Sequence, residues 1–222
     1  MARTKVILDT GKMQKMIGDA LKTVCKTSDN RKRIDEALKD GSRELSASFE
    51  AHKITQEIAA GPKGQNTSGT LGGYGNLFSF IGFPEGDEPL KAIREIIKQK
   101  IFHVRTVNGV FKRGNVVTMI VDGPTAEDIF DTAKTPMPWA KERSWARGIE
   151  TGISGLGQYM HMEYRRGKWR SGMGFQAGDD VEPRPEGVSL PSKFQNTSYI
   201  TKLIAQATKA AIRSATSRGV LK

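Results

Sequence analysis

The sequence predicts an α+β fold, several helices packed on a small antiparallel β-meander with an extended loop and terminal arms. Three observations lead there. Apolar residues recur at helical spacing in several stretches, and a central stretch switches to short strands around turn signals. Helices and hairpins also come in blocks instead of β-α-β alternation. The chain, residues 1–222, reads as a single domain. It carries a glycine- and aromatic-rich loop at 61–89, an acidic proline-rich loop at 177–192 and a basic C-terminal helix at 197–218.

Thr4 to Asp9 reads as a first strand, and Met13, Met16, Ile17, Ala20, Leu21 and Val24 mark a helix. Ser28, Asp29 or Asn30 then offers an N-cap for a long helical stretch from Arg31 to Ala60. Ile34, Leu38, Leu45 and Phe49 form one apolar stripe of it, and Ala47, Ala51, Ile54 and Ile58 another. Gly41 inside the stretch predicts a bend or a break into two helices, and Gly61-Pro62 ends it. Within the following loop, Leu77 to Phe83 reads as a short core strand.

Leu90, Ile93, Ile97 and Ile101, widened by Ile96, predict the next helix, with Glu88 near its start and Lys98 and Lys100 near its end, as the helix dipole prefers. From Phe102 to Gly123 the period changes. Asn108-Gly109 is a strong hairpin turn signal and Gly114-Asn115 offers a second, so three short strands are expected. Pro124 and Thr125 open a short helix, with Thr125 and Asp128 at capping-box spacing. Trp145, Ile149 and Ile153 align on a helix from Lys141 to about Ile153, and two strands are expected around Arg166-Gly167-Lys168. Ile200, Ile204, Ala207 and Ala211 place the last helix.

Composition narrows the function. Formal net charge is +11, from 35 Lys and Arg against 24 Asp and Glu, which favours polyanions or acidic surfaces as partners. The single Cys25 excludes an internal disulfide framework and a multi-cysteine zinc site. No signal-peptide stretch opens the chain, and no segment approaches the roughly 20 apolar residues of a membrane span. A soluble protein without membrane contact is expected.

Catalytic patterns fail residue by residue. Gly64 and Gly69 have the separation of phosphate-loop glycines, but Thr70 stands where the lysine belongs, and the loop follows a helix instead of a strand. His52, His103 and His161 fall on three different elements without metal-site spacing, and Asp179, Asp180 and Glu182 do not match a calcium loop. Cys25, beside Lys22 and Lys26, has no identifiable base. No catalytic residue, cofactor or metal is expected.

Two candidate contact regions remain. In "YRRGKWR", Arg165, Arg166, Lys168, Trp169 and Arg170 set cations beside stackable rings, as single-strand or phosphate contacts do. Lys202, Lys209 and Arg213 lie on a final helix in a stretch with no acidic residue after Gly187. The other region is the loop. Gly69, Gly72, Gly73 and Gly75 permit close approach, while Leu71, Tyr74, Phe78 and Phe80, with Thr70 among them, load it with apolar surface. It either folds onto its own domain or meets a neighbouring subunit, and both hold if its second half is anchored.

The helix ending in "AAGPKGQNTSGTL" resembles the helix and P…TG.L turn of tail-completion and minor tail proteins of tailed bacteriophages. "SWARGIETGISGLGQYM" followed by "RSGMGFQ" is similar to segments of phage neck and tail-completion proteins. These stretches cover about a third of the chain; the "GGYGNLFSFIGF" insertion and the basic C-terminal helix depart from the pattern. The resemblance implies a structural virion subunit, not an enzyme, assembled in the host cytoplasm into a hexameric or dodecameric ring that joins head and tail. Portal, neck and tail-tube proteins would be its partners, with DNA in the channel or acidic neighbours facing its cations. The alternative reading is a basic cytoplasmic nucleic-acid-binding protein using the basic hairpin and the C-terminal helix.

Overall fold

The computed structural model describes residues 28–71, 75–111, 114–136, 143–152, 170–171, 176 and 196–219. The described residues form α1 (Ser28–Ala51), α2 (Lys53–Ala59), a 3-10 turn (Gly61–Lys63), α3 (Leu77–Ile81) and α4 (Lys91–Gln99). A hairpin, β1 (His103–Phe111) and β2 (Gly114–Asp122), precedes α5 (Ala126–Thr132), α6 (Trp145–Thr151) and α7 (Ile200–Ser217).

This corrects the α+β expectation. The described part is mostly helical, and its named strands form one two-stranded hairpin, with no larger sheet for helices to pack on. The expected meander is absent from it because the turn signals lose to the ladder. Asn108 pairs with Val117 and Gly109 with Val116, inside a register of nine pairs running from His103↔Asp122 to Phe111↔Gly114. Turning at Asn108-Gly109 would divide the same residues among shorter strands with fewer cross-strand hydrogen bonds each. The expected strand at Thr4 to Asp9, the helix of Lys12 to Val24 and the strands around Arg166-Gly167-Lys168 lie outside the described residues.

The residues divide into two compact units: Met1–Ala47, Ile96–Thr125 and Leu203–Lys222 in the first, Ser48–Glu95 and Ala126–Lys202 in the second. In the first unit, Ile34, Ala37, Leu38 and Leu45 of α1, Ile97 and Phe102, and Leu203, Ala207 and Ala211 of α7 are buried. Gly41 does not break α1, which runs unbroken from Ser28 to Ala51. It lets α7 approach: a Cβ at Gly41 would stand 2.7 Å from the Ala211 Cβ and 3.0 Å from the Ala207 carbonyl oxygen. Ser42, one residue on, accepts the Phe102 N–H at 3.1 Å. At the end of α7, Ser214 Oγ donates to Asp40 at 2.7 Å, and Arg218 reaches Asp40 at 2.9 Å and Glu36 at 2.5 Å. Those two donors hold the Asp40 carboxyl below the usual carboxylate range.

In the second unit the long helical stretch breaks at His52, not at Gly41. His52 is extended (φ −70°, ψ 133°), and its Nδ1 accepts the Ile54 N–H at 3.3 Å, capping α2. Its ring lies 4.8 Å from that of Tyr199, whose buried hydroxyl shares a 2.7 Å hydrogen bond with Thr55. Phe83 connects Phe78, at 5.3 Å, to the edge of the buried Trp145, at 5.8 Å. Helices α5 and α6 are joined by the Trp145 backbone N–H donating to the Ala133 carbonyl, the Arg147–Glu127 ion pair and the Arg147 guanidinium 4.9 Å from the Phe130 ring centroid. Glu150 of α6 accepts the backbone N–H groups of Tyr199 and Thr201, at 3.1 and 2.9 Å, where α7 begins.

Candidate functional site

The glycine-aromatic loop is organised from beneath by two polar side chains. Glu57 sits on the buried face of α2 between Ile54 and Ile58 and is 1% exposed. Its Oε2 accepts the Ser68 N–H and its Oε1 the Leu77 N–H, both at 2.8 Å, so one carboxylate holds the chain on either side of residues 69–76. Such charge-assisted bonds to backbone donors are among the stronger neutral-to-ion contacts. Asn76 closes the frame: its Nδ2 donates to the carbonyls of Pro62 at 2.7 Å and Gly64 at 2.9 Å. Its Oδ1 accepts the Ser79 N–H at 2.9 Å, capping α3.

That cap corrects the strand expected over Leu77 to Phe83. Asn76 starts a helix and Gly82, at φ 91°, ends it in the left-handed conformation. All five α3 residues are buried, and a short apolar run without polar alternation has no period that separates strand from helix.

Of the candidate loop residues, Gly69 and Gly75 are exposed, while Thr70, Leu71, Phe78 and Phe80 face the interior of their own unit. Gly72, Gly73 and Tyr74 lie outside the described residues. Of the basic stretch, Arg165, Arg166, Lys168 and Trp169 also lie outside them. Arg170 is placed against α3: its Nε donates to the Gly82 carbonyl at 2.9 Å and its Nη2 to that of Pro136 at 3.2 Å. Its neighbour Ser171 donates to Ser79 at 2.8 Å, and Gln176 Nε2 donates to the Phe80 carbonyl at 3.1 Å. Arg170, far from the loop in sequence, therefore meets it at α3, and there it ties carbonyls together.

Lys202, Lys209 and Arg213 are exposed on α7, opposite its buried residues Leu203, Ala207 and Ala211. Exposed Ile212 accompanies them. His52 is half-buried; burial, with Lys202 as a smaller cause, lowers its pKa from the ordinary histidine value. Cys25, His161, Asp179, Asp180 and Glu182 lie outside the described residues, among which no group of three or more His, Cys, Asp or Glu could hold a metal ion. No helix of the described residues is long and apolar enough to cross a membrane.

Glu57 and Asn76 are absent from the sequence-derived candidates. A glutamate one turn from Ile54 on an apolar face was the available signal for the first, and Asn76 three residues before Ser79, with Gly82 beyond, for the second. No protein-family model, curated protein or solved structure matches the chain.

Proposed function

We propose that the chain is a structural subunit of a tailed-phage virion at the neck or tail-completion level, acting by assembly into a ring that joins head and tail. The observation that carries this reading is the frame beneath the loop. Glu57 of α2 holds Ser68 and Leu77 on either side of residues 69–76, and Asn76 holds the carbonyls of Pro62 and Gly64, while Gly69 and Gly75 stay exposed. Residues flanking 72–74 that are already held by Glu57 and Asn76 cost less entropy when a neighbour meets them. The stretches similar to tail-completion proteins include the first part of this loop, up to Leu71, and the region around α6.

In this reading the chain has no catalytic role. Copies form a hexameric or dodecameric ring through two different faces of each subunit, since head-to-tail contacts close only by rotation. Portal, neck and tail-tube proteins bound the ring, which is built in the host cytoplasm. Deleting the gene should yield filled heads and free tails side by side in negative stain, with joining restored when the chain is supplied from a plasmid. Joined, infectious particles from the deletion would contradict the proposal.

One observation favours a second reading. The exposed Lys202, Lys209 and Arg213 share a helix with no acidic residue, as a nucleic-acid-binding surface would require. Duplex or single-strand binding by the purified chain that falls steeply with salt would support it.

A further inference from the structure

Positive charge is divided unequally between the two units. The first holds 20 Lys and Arg against 8 Asp and Glu, a net +12. The second holds 15 against 16, a net −1, and together they make the 35 and 24 of the whole chain. The formal net charge of +11 therefore belongs to the first unit alone. Charge gathered in one part of a chain beside a balanced remainder is the footprint of polyanion binding.

Within the first unit, the described residues show where that charge is available. The α1 carboxylates Glu36 and Asp40 are engaged by Arg218, and Arg43 also pairs with Asp40. The outer face of α7 is different. Gln206, Lys209 and Arg213 follow three and four residues apart on the side away from the buried Ala207 and Ala211, and all three are exposed. Among the described residues neither Lys209 nor Arg213 has an acidic partner. Arg170 of the second unit, by contrast, is engaged by the Gly82 and Pro136 carbonyls.

We propose that the first unit is the nucleic-acid-facing part of the protein, the outer face of α7 lying along the phosphates of a duplex through Lys209 and Arg213, without regard to base sequence. Three features select that occupant. Helix α7 has no aromatic side chain, whereas single strands are held by stacking on aromatic rings. Its one large exposed apolar side chain is Ile212, too little for the apolar, aromatic-enriched and lysine-poor centre of a protein interface. Lysine, arginine and glutamine all contact phosphate oxygens, and such bonds fix position while carrying no sequence information. The inference rests on the nucleic-acid reading of α7 and holds whether or not the chain is also a ring subunit.

Fluorescence anisotropy of two labelled DNA duplexes of unrelated sequence, titrated with the full chain between about 0.05 M and about 0.3 M salt, tests it. The wild type should bind both duplexes alike, and its affinity should fall linearly with salt on logarithmic axes, because each neutralised phosphate releases counterions. Lys209→Gln with Arg213→Gln should lower that slope by about 2 and weaken binding about tenfold or more at the lowest salt. Lys53→Gln with Lys91→Gln removes the same charge from exposed positions of the second unit and should leave the slope unchanged. Circular dichroism confirms that each variant is folded. Unlabelled duplex DNA, duplex RNA and polyglutamate serve as competitors. Displacement by either duplex supports the proposal, and the stronger of the two names the source of the phosphates.

A wild type that binds no duplex, or that prefers a single strand of the same sequence, overturns the proposal. So does a slope untouched by the Lys209 and Arg213 pair, or lowered equally by both pairs, the result expected if net charge alone matters. Salt-sensitive binding carried by Lys53 and Lys91 instead keeps the nucleic-acid reading and overturns its assignment to the first unit. Displacement by polyglutamate as readily as by duplex assigns the face to an acidic protein and overturns it too. Each of these results leaves the deletion phenotype as an independent test of the virion role.

Discussion

Gly41 of α1 and Ala211 of α7 meet so closely that any side chain at Gly41 collides: a Cβ there would lie 2.7 Å from the Ala211 Cβ. The glycine is a helix-packing residue, not a breaker. Gly41→Ala should therefore destabilise the fold by about 1–3 kcal/mol, the usual range for overpacking, even though alanine is the better helix former by roughly 1 kcal/mol. Urea denaturation reads this as a lower midpoint, and Ala211→Gly in the same chain should recover part of the loss. An unchanged or higher midpoint for Gly41→Ala would contradict the packing account.

Glu57 is the buried carboxylate that holds Ser68 and Leu77. Glutamine keeps its size but has one acceptor oxygen and a donor nitrogen, so one backbone N–H loses its partner. Glu57→Gln should cost about 1–3 kcal/mol, the penalty for a buried unsatisfied group. It should also speed hydrogen exchange at the Ser68 or Leu77 amide more than at Ile93 of α4. Equal exchange at all three positions would show that Glu57 does not frame the loop.

His52 supplies a pH dependence whose sign follows from burial. Its folded-state pKa is lowered from 6.5, first by burial and then by Lys202. Below 6.5 the unfolded chain therefore binds more protons than the folded one, and stability falls as pH drops toward the folded value. His52→Asn keeps a side-chain acceptor for the Ile54 N–H without titrating. The difference in thermal midpoint between wild type and His52→Asn should shift against the wild type on acidification and level off above about pH 7.5, one unit past the ordinary histidine value. A difference independent of pH would exclude the effect.

For the loop as an inter-subunit contact, the residue to change is Tyr74, since Phe78 is 1% exposed inside its own unit. Phe78→Ala would remove a core side chain at about 3–5 kcal/mol and so report on folding. Tyr74→Ala should give unjoined heads and tails while the purified variant keeps its circular dichroism spectrum. Normal yield of joined particles would remove this residue from the contact.

Helices with a clear apolar stripe were legible in the sequence. Leu90, Ile93 and Ile97 mark α4, and Ala207 and Ala211 mark α7; these four alanine and isoleucine positions are buried, as is Leu90. Readings that hinged on a single residue went astray, because one residue serves several physical ends. Gly41 breaks helices in isolation but admits a neighbouring helix here. Asn108-Gly109 favours a turn locally, yet a nine-pair ladder runs through it. Leu77 to Ile81 has no polar residue alternating at either period, so only its caps, Asn76 and Gly82, distinguish the helix. The frame of the candidate site was least legible. The bonds of Glu57 to Leu77 and of Arg170 to Gly82 join residues distant in sequence, and no local spacing encodes them.

The most direct test of the virion role is immunogold electron microscopy of tailed particles from the lysate in which the chain is made, with immunoblotting of dissociated particles alongside. The account predicts gold at the junction of head and tail and an immunoreactive band from dissociated particles. Absence of the chain from both intact and dissociated particles would contradict it.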